Sequence, residues 1–191
     1  MKTRLGAKNV LYPSLTTLIG AHVHGKPNFI TIAHVGILSL SEISFGLHRS
    51  HYSNEGIREN ECFSVNIPSE DMVIETDYVG LVSGRDTDKS GLFELFYGEL
   101  PAAPMIKKCP LCMECRLIRV LELPHHDVFV GEAVETYADE SVLTDGKVDV
   151  GKVRPLLFDM PLKKYWRLGG EVAGCWRVGR EHPNFVKKKE S

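Results

Sequence analysis

The chain has 191 residues, enough for one domain of ordinary size. Its 23 Lys and Arg nearly balance 25 Asp and Glu, so no basic excess invites nucleic acid. No apolar run reaches the ~18 residues of a spanning helix, and the segment after Lys2 and Arg4, Leu5-Gly6-Ala7-Lys8-Asn9, is not the apolar core of a secretory leader. The five cysteines, at 62, 109, 112, 115 and 175, are odd in number and clustered. That pattern argues against a disulfide framework and for reduced thiols. A cytoplasmic protein is expected, a single domain over residues 1–191 with no membrane or nucleic-acid partner. The basic run Lys187-Lys188-Lys189 reads as a solvated tail.

In chain order, "SLTTLIGAHVHG" (14–25) is rich in β-branched and apolar residues and ends at the turn signal Gly25-Lys26-Pro27. "NFITIAHVG" (28–36) follows at once, which predicts a hairpin. "ISFGLH" (43–48) is a third strand after a Ser-rich turn. "SNEGIREN" (53–60) reads as a short helix, with Ser53 or Asn54 as cap and Glu55 in the first turn, where the dipole favours an anion. "CFSVNIP" (62–68) is a fourth strand, stopped by Pro68. "SEDMVIETDYVGLVSG" (69–84) predicts a helix with Ser69 as N-cap, an inward stripe of Met72, Thr76, Val79 and Val82 or Ser83, and Gly84 as its end. "MECRLIRVLEL" (113–123) and "DVFVGEAVETYA" (127–138) are two long strands around Pro124-His125-His126. Residues 139–162 carry no clear pattern, and "YWRLGGEVAGCWRVGRE" (165–181) holds both tryptophans. Strands joined by short turns, with no βαβ unit, predict a mainly β fold with added helices, closed or partly closed into a barrel.

Neither a Gly-x-Gly-x-x-Gly nor a Gly-x4-Gly-Lys-Ser/Thr loop is present, so any nucleotide must be held by another device. Three segments offer one. In "LHRSHYSNEGIREN" (47–60), Arg49, Ser50, His51, Tyr52, Ser53 and Asn54 lie between a strand end and a helix start, where hydroxyls, a guanidinium and helix N–H groups suit a phosphate. An ordinary capped loop is the plainer reading of these residues taken alone. In "SGRDTDKSG" (83–91), Ser83, Gly84, Arg85 and Lys89 form either an N–H-rich cationic nest or an exposed charged turn. In "NFITIAH" (28–34), Thr31 and Ala33 share one strand face, which suits a flat ring or is a routine half-buried strand. His125-His126 at a turn reads as a surface pair. "CPLCMEC" (109–115) contains one Cys-x-x-Cys where a closed zinc site needs four ligands. In an extended strand Cys112 and Cys115 point to opposite faces.

"KPNFITIAHVG", "ISFGLHRSHYSNEGIRENECFSVNIPSEDMV", "GLVSGRDTDKSGLF", "CPLCMECRL", "HHDVFVGEAVE" and "YWRLGGEVAG" occur in one order. Over residues 8–180 the chain resembles the flavin reductase-like family, in the branch of flavoredoxin and an archaeal ferric reductase. The resemblance implies an FMN-binding split β-barrel, a Greek-key six-stranded antiparallel barrel with added helices, assembled as a homodimer with FMN near the interface. It implies that Asn28, Thr31 and Ala33 lie on the strand beside the flavin, and that Gly46, His48 and Arg49 match the next strand end. Ser53, in the variant stretch His51-Tyr52-Ser53, stands in the phosphate loop. Ser83, Gly84 and Lys89 lie near the ribityl phosphate. His126 stands close to the flavin and nicotinamide, and Tyr165 and Trp166 pack near the cofactor. Phe45 replaces a small residue or Cys beside the flavin, where it would narrow the pocket or stack on a ring.

The implied activity is NAD(P)H-dependent reduction of flavin or ferric iron by hydride transfer through bound FMN, with NADH or NADPH as donor. A non-enzymatic flavoredoxin-type carrier, reduced by a redox partner protein, is the rival reading. A metal module using Cys109, Cys112 and Cys115 is a third.

Overall fold

The computed structural model describes residues 1–185, so the run Lys187–Lys189 lies outside the described residues. The chain opens with β1 (Ser14–Leu15), β2 (Thr17–Val23), β3 (Lys26–Ile32) and β4 (Val35–Ile37). His24 and Gly25, both at positive φ (50° and 76°), make the tight β2–β3 turn, with Val23 opposite Lys26. Next come β5 (Glu42–His48), α1 (Ser53–Asn60), β6 (Cys62–Ile67) and, after a 3-10 turn at Glu70–Met72, α2 (Val73–Leu81). The short pair β7 (Leu95–Phe96) and β8 (Met105–Ile106) precedes the long strands β9 (Leu111–Glu122) and β10 (His126–Ala138). A second short pair, β11 (Leu143–Thr144) and β12 (Lys147–Val148), leads to α3 (Val150–Val153), β13 (Leu156–Asp159) and β14 (Lys164–Arg167).

The main sheet is antiparallel, in the order β3-β2-β6-β9-β10-β5-β4. Its two end strands are halves of one stretch of chain, parted only by Ala33 and His34. Seven strands therefore make six staves of a split barrel. The Gly46 N–H donates to the His34 carbonyl (3.3 Å) beside the break. Among the described residues no helix is long and apolar enough to cross a membrane.

Alternation along the strands fills two layers. Ile19, Ala21, Phe45, Leu47, Phe63, Val65, Cys115 and Phe129 form the inner core. Phe45 packs edge-on to Phe63 (4.9 Å) and stacks with Phe129 (5.5 Å). Leu18, Phe29, Met72, Val79, Met105, Cys109 and Cys112 form the outer layer, beneath α2 and the 92–112 segment. β2 and β6 are covered on both faces, so nearly every residue along them is buried, polar Thr17, Ser64 and Asn66 included.

Several sequence expectations change. Phe45 is 1% exposed inside the barrel and borders no ligand cleft, because β5 turns that side chain inward and Gly46 outward. Neither Ser53 nor Asn54 caps α1. Ser53 Oγ instead accepts from Asn28 Nδ2 (2.8 Å), and Asn54 Nδ2 donates to the His48 and His51 carbonyls (both 2.9 Å). Ser69 makes no capping bond, and the helix ends at Leu81 rather than Gly84. Residues 139–162, without a clear pattern in the sequence, hold β11, β12, α3 and β13, and Asp149 caps α3 by accepting from the Gly151 and Lys152 amides (3.0 and 3.3 Å). Cys115 faces the inner core, away from Cys109 and Cys112 in the outer layer. Burial raises all three thiols, Cys112 and Cys115 to about 12, so they remain protonated. Among the described residues no three metal-binding side chains gather.

Helix α1 reaches the barrel through Gly56, where an added Cβ would lie 1.9 Å from the His22 carbonyl oxygen. Main chain cannot yield as a flexible side chain can. Gly56→Ala is expected to destabilise the fold by about 1–3 kcal/mol or more, read as a lower urea midpoint.

Candidate functional site

A trough runs between the split strand and α2. Its first chamber, about 350 Å³, is floored by Thr31, Ala33 and Gly46 and flanked by His48, His126 and Tyr165. Open space lies over Gly46, where an added Cβ would meet nothing within 4 Å. Leu81, Phe158 and Met160 give this chamber an apolar rim. A second chamber of about 270 Å³ adjoins it, lined by Asn28, Tyr52, Ser53, Ser83, Gly84 and Lys89. The two chambers share His51, Gly80 and Leu81 at a waist.

Each wall is fixed by a specific bond. Thr31 Oγ1 donates to the Thr76 carbonyl (2.5 Å), seating α2 on β3. The Lys89 ammonium donates to the Phe29 and Val79 carbonyls (both 2.9 Å), tying the same two elements from the second chamber. Lys89 is only 4% exposed, and burial lowers its pKa to about 8. It therefore carries charge at neutral pH, with a third proton to offer an anion. Gly84 is required by close approach: a Cβ there would meet Asn28 Oδ1 at 2.1 Å. At the outer end the Arg85 guanidinium lies over the Tyr52 ring (5.1 Å) and pairs with Glu55, so Arg85 is committed to the protein.

Two buried polar atoms along the trough have no partner, Thr16 Oγ1 and His51 Nδ1. An unpaired buried polar atom costs about 1–3 kcal/mol, and such atoms concentrate where a ligand supplies the missing bond. Burial first, then neighbouring His48, His126 and Lys89, hold the His51 imidazole below its ordinary 6.5. A flat, largely apolar body joined to an anionic tail fits an apolar chamber opening onto one with a buried ammonium and two serines.

Twelve of the fourteen residues singled out from the sequence thus line one trough: six at the apolar end, six at the cationic end. Two are not brought there. Arg49 Nε donates to Asp127 Oδ1 (3.2 Å), and its Nη2 lies 3.9 Å from Glu122. Burial alone would raise the Asp127 carboxyl, but Arg58 and Arg49 overcome it and hold it below the usual carboxylate range. Trp166 follows Tyr165 on β14, so its side chain leaves by the opposite face, half exposed. Tyr165 points inward, its hydroxyl donating to Asp77 Oδ1 (2.9 Å). His51, Gly80 and Leu81 escaped the sequence assignment of site residues. His51 stood inside the phosphate-loop candidate, whereas Gly80 and Leu81 gave no signal beyond helix α2.

Two outcomes follow from these contacts. Arg49→Ala should lower stability through Asp127 while leaving ligand affinity unchanged, as denaturation and binding titrations will show. His51 binds fewer protons folded than unfolded below 6.5, so stability falls as pH drops through that window. In His51→Gln the fall in urea midpoint between neutral and acid pH should be smaller than in the wild type.

A flavoredoxin from Methanosarcina acetivorans is 44% identical and superimposes with a TM-score of 0.91 over 94% of this chain and 98% of that one. A flavoredoxin of Desulfovibrio vulgaris (Miyazaki F) is 32% identical, with a TM-score of 0.86 over 94% of this chain and 100% of that one. An FMN-binding protein from Thermus thermophilus shares the fold, at 22% identity and a TM-score of 0.76 over 91% and 97% of the two chains. The flavin reductase like domain matches residues 10–160, most of the chain. This protein therefore belongs to the flavin reductase-like family, and its role is a flavin-related redox one.

Proposed function

We propose that the trough binds FMN, with the isoalloxazine ring in the apolar chamber and the phosphate beside Lys89, and that NADH or NADPH reduces it there for delivery to a flavin or ferric acceptor. One observation carries this reading. An apolar chamber and a cationic one meet at a waist where His51 Nδ1 lacks a partner. Ser53 and Ser83 supply hydroxyl donors beside the ammonium, and Asn28 holds Ser53 in place (2.8 Å). Thr31, Ala33 and Gly46 offer a surface low enough for a ring to lie flat. Bound FMN supplies the two-electron chemistry. The chain's part is to position the ring, exclude water along Leu81, Phe158 and Met160, and present His126 to a nicotinamide at the open side.

A homodimer belongs to the same proposal. Ile74 and Leu81 on α2 are 78% and 76% exposed, and Met160 is 45% exposed at the chamber rim. A second copy covering this apolar edge would also dry the flavin site.

A second reading is favoured by the flavoredoxins that this chain resembles at 44% and 32% identity: an electron carrier reduced by a protein partner. Anaerobic mixing separates the two. Rapid bleaching of the flavin absorbance by NADH or NADPH marks the enzyme; bound flavin that NAD(P)H leaves oxidised marks the carrier. A purified protein that takes up no FMN sinks both.

Lys89 gives a sharper test. It loses its charge as pH rises past about 8, so FMN affinity should decline there while riboflavin affinity holds. Lys89→Met should weaken FMN binding by about 1.5–3 kcal/mol, the worth of a charge-assisted bond, remove the pH dependence, and leave riboflavin affinity unchanged.

A further inference from the structure

A second cationic recess lies on the far side of the ring chamber from Lys89. On β14, Tyr165 closes the chamber by donating to Asp77 of α2 (2.9 Å). Arg167, two positions on, projects from the same strand face, about 7 Å further along. Across from it stands Glu70, on the 3-10 turn that leads into α2. Seven positions separate Glu70 from Asp77, a rise of roughly 10–12 Å. Glu70, Gly151, Arg154, Arg167, Leu168 and Gly169 enclose a cup of about 200 Å³ there. At Gly169 an added Cβ would meet nothing within 4 Å, so the cup is open on that side.

The cup is built on one carboxylate and two guanidinium groups. Glu70, its side chain only 18% exposed, accepts from Arg154 Nη2 on one oxygen, and its other oxygen lies 3.3 Å from Arg167 Nε. Main chain holds the first pair in register, since the Glu70 N–H donates to the Arg154 carbonyl (2.9 Å). One negative charge thus faces two positive ones, and Asp71 does not line the cup. Among the described residues no other group accepts from either guanidinium, and each carries five N–H donors. An exposed ion pair contributes only about 0–1 kcal/mol, and one arginine would complete it. Two forked donors splayed from a shared carboxylate suit an oxyanion with several acceptor oxygens, a phosphate monoester above all.

The order along this stretch gives the cup its meaning. Glu70 marks the cup, Asp77 the ring chamber, and Gly80 and Leu81 the waist that opens onto Lys89. A cationic recess therefore flanks the ring chamber on each side. FMN has one phosphate and fills the recess at Lys89. A second nucleotide, its ring stacked on the flavin, meets the other.

We infer that Arg154 and Arg167 bind the 2′-phosphate of NADPH and so select NADPH over NADH. The inference deepens the reductase reading and rests on it for the nicotinamide in the ring chamber. The Tyr165–Asp77 bond stands between chamber and cup, so the pyrophosphate would cross above it.

The test titrates the full chain, with and without FMN, with 2′,5′-ADP in a calorimeter. Binding that weakens with added salt is expected, with 5′-AMP, 5′-ADP and inorganic phosphate each at least tenfold weaker. Arg154→Gln and Arg167→Gln should each weaken 2′,5′-ADP about tenfold, the loss of one charge-assisted bond, with FMN affinity unchanged. Arg167 is 79% exposed, so its variant tests the cup without disturbing the fold. In anaerobic titrations the wild-type flavin should be bleached at lower NADPH than NADH concentration, and that preference should collapse in both variants. The inference is overturned if 2′,5′-ADP does not bind, if any of the other three binds as tightly, if the variants match wild type, or if they weaken NADH and NADPH equally. A chain that binds 2′,5′-ADP through both arginines, yet whose flavin neither nucleotide bleaches, refutes the reductase reading and leaves the phosphate cup standing. Flavin bleached equally by NADH and NADPH, in wild type and variants alike, refutes the cup and leaves the reductase reading standing.

Discussion

One stretch of chain, residues 26–37, supplies both ends of the main sheet, and the rest of the molecule depends on that sharing. β3 pairs with β2, then the chain passes through Ala33 and His34, and β4 pairs with β5. A sheet that ended here would expose two rows of unpaired main-chain groups. Shared between two neighbours, the same stretch closes the barrel. The closure is incomplete at the break, and the ring chamber lies against it, with Thr31, Ala33 and His34 on its wall. The site is thus a product of how the barrel shuts.

Helix α2 becomes the opposite wall because two bonds hold it over the split strand, Thr31 to the Thr76 carbonyl and Lys89 to the Phe29 and Val79 carbonyls. Burying an ammonium against two carbonyls is costly, as the lowered Lys89 pKa records. The same burial leaves little water to compete for its remaining proton. A comparable device works away from the site. Glu114, fully buried, accepts from the Glu99 and Leu100 amides (2.9 and 2.7 Å) and from the Tyr137 hydroxyl (2.8 Å), pinning the 97–104 loop to β9 and β10. There every lone pair that matters is satisfied within the chain. At His51 and Thr16 it is not.

The conspicuous cysteines carry no comparable arrangement. Cys109 lies beside Met72 (sulfur to sulfur 3.8 Å), and Cys115 is enclosed by the barrel core. The odd spacing of Cys112 and Cys115 along an extended strand foresaw that those two face different layers. Phe45 shows the opposite case. Its place beside candidate site residues suggested a flavin contact, yet strand alternation hands the open face to Gly46 and the core to Phe45.

Local pattern determined much by itself. Helix α1 fell on residues 53–60 as read, and the stripe Met72, Thr76, Val79 was buried as its spacing required, whereas Val82 and Ser83, read as its continuation, lie past the helix end and are not buried. The family resemblance carried by the ordered segments named twelve residues that line the trough, where the residues read alone left each segment open to a plain structural reading. Only the tertiary structure decided which of those groups stay free for a ligand. Arg49 was claimed by Asp127, and Arg85 by the Glu55 carboxylate and the Tyr52 ring, partners that lie on other elements far along the chain. The waist at His51, Gly80 and Leu81 exists only once α2 is laid across β3. The facing of His48 and His126 likewise comes from the register of two strands far apart in the chain. Propensity and periodicity act over a few residues, whereas a cleft is a relation between elements, fixed by the bonds and registers that bring them together.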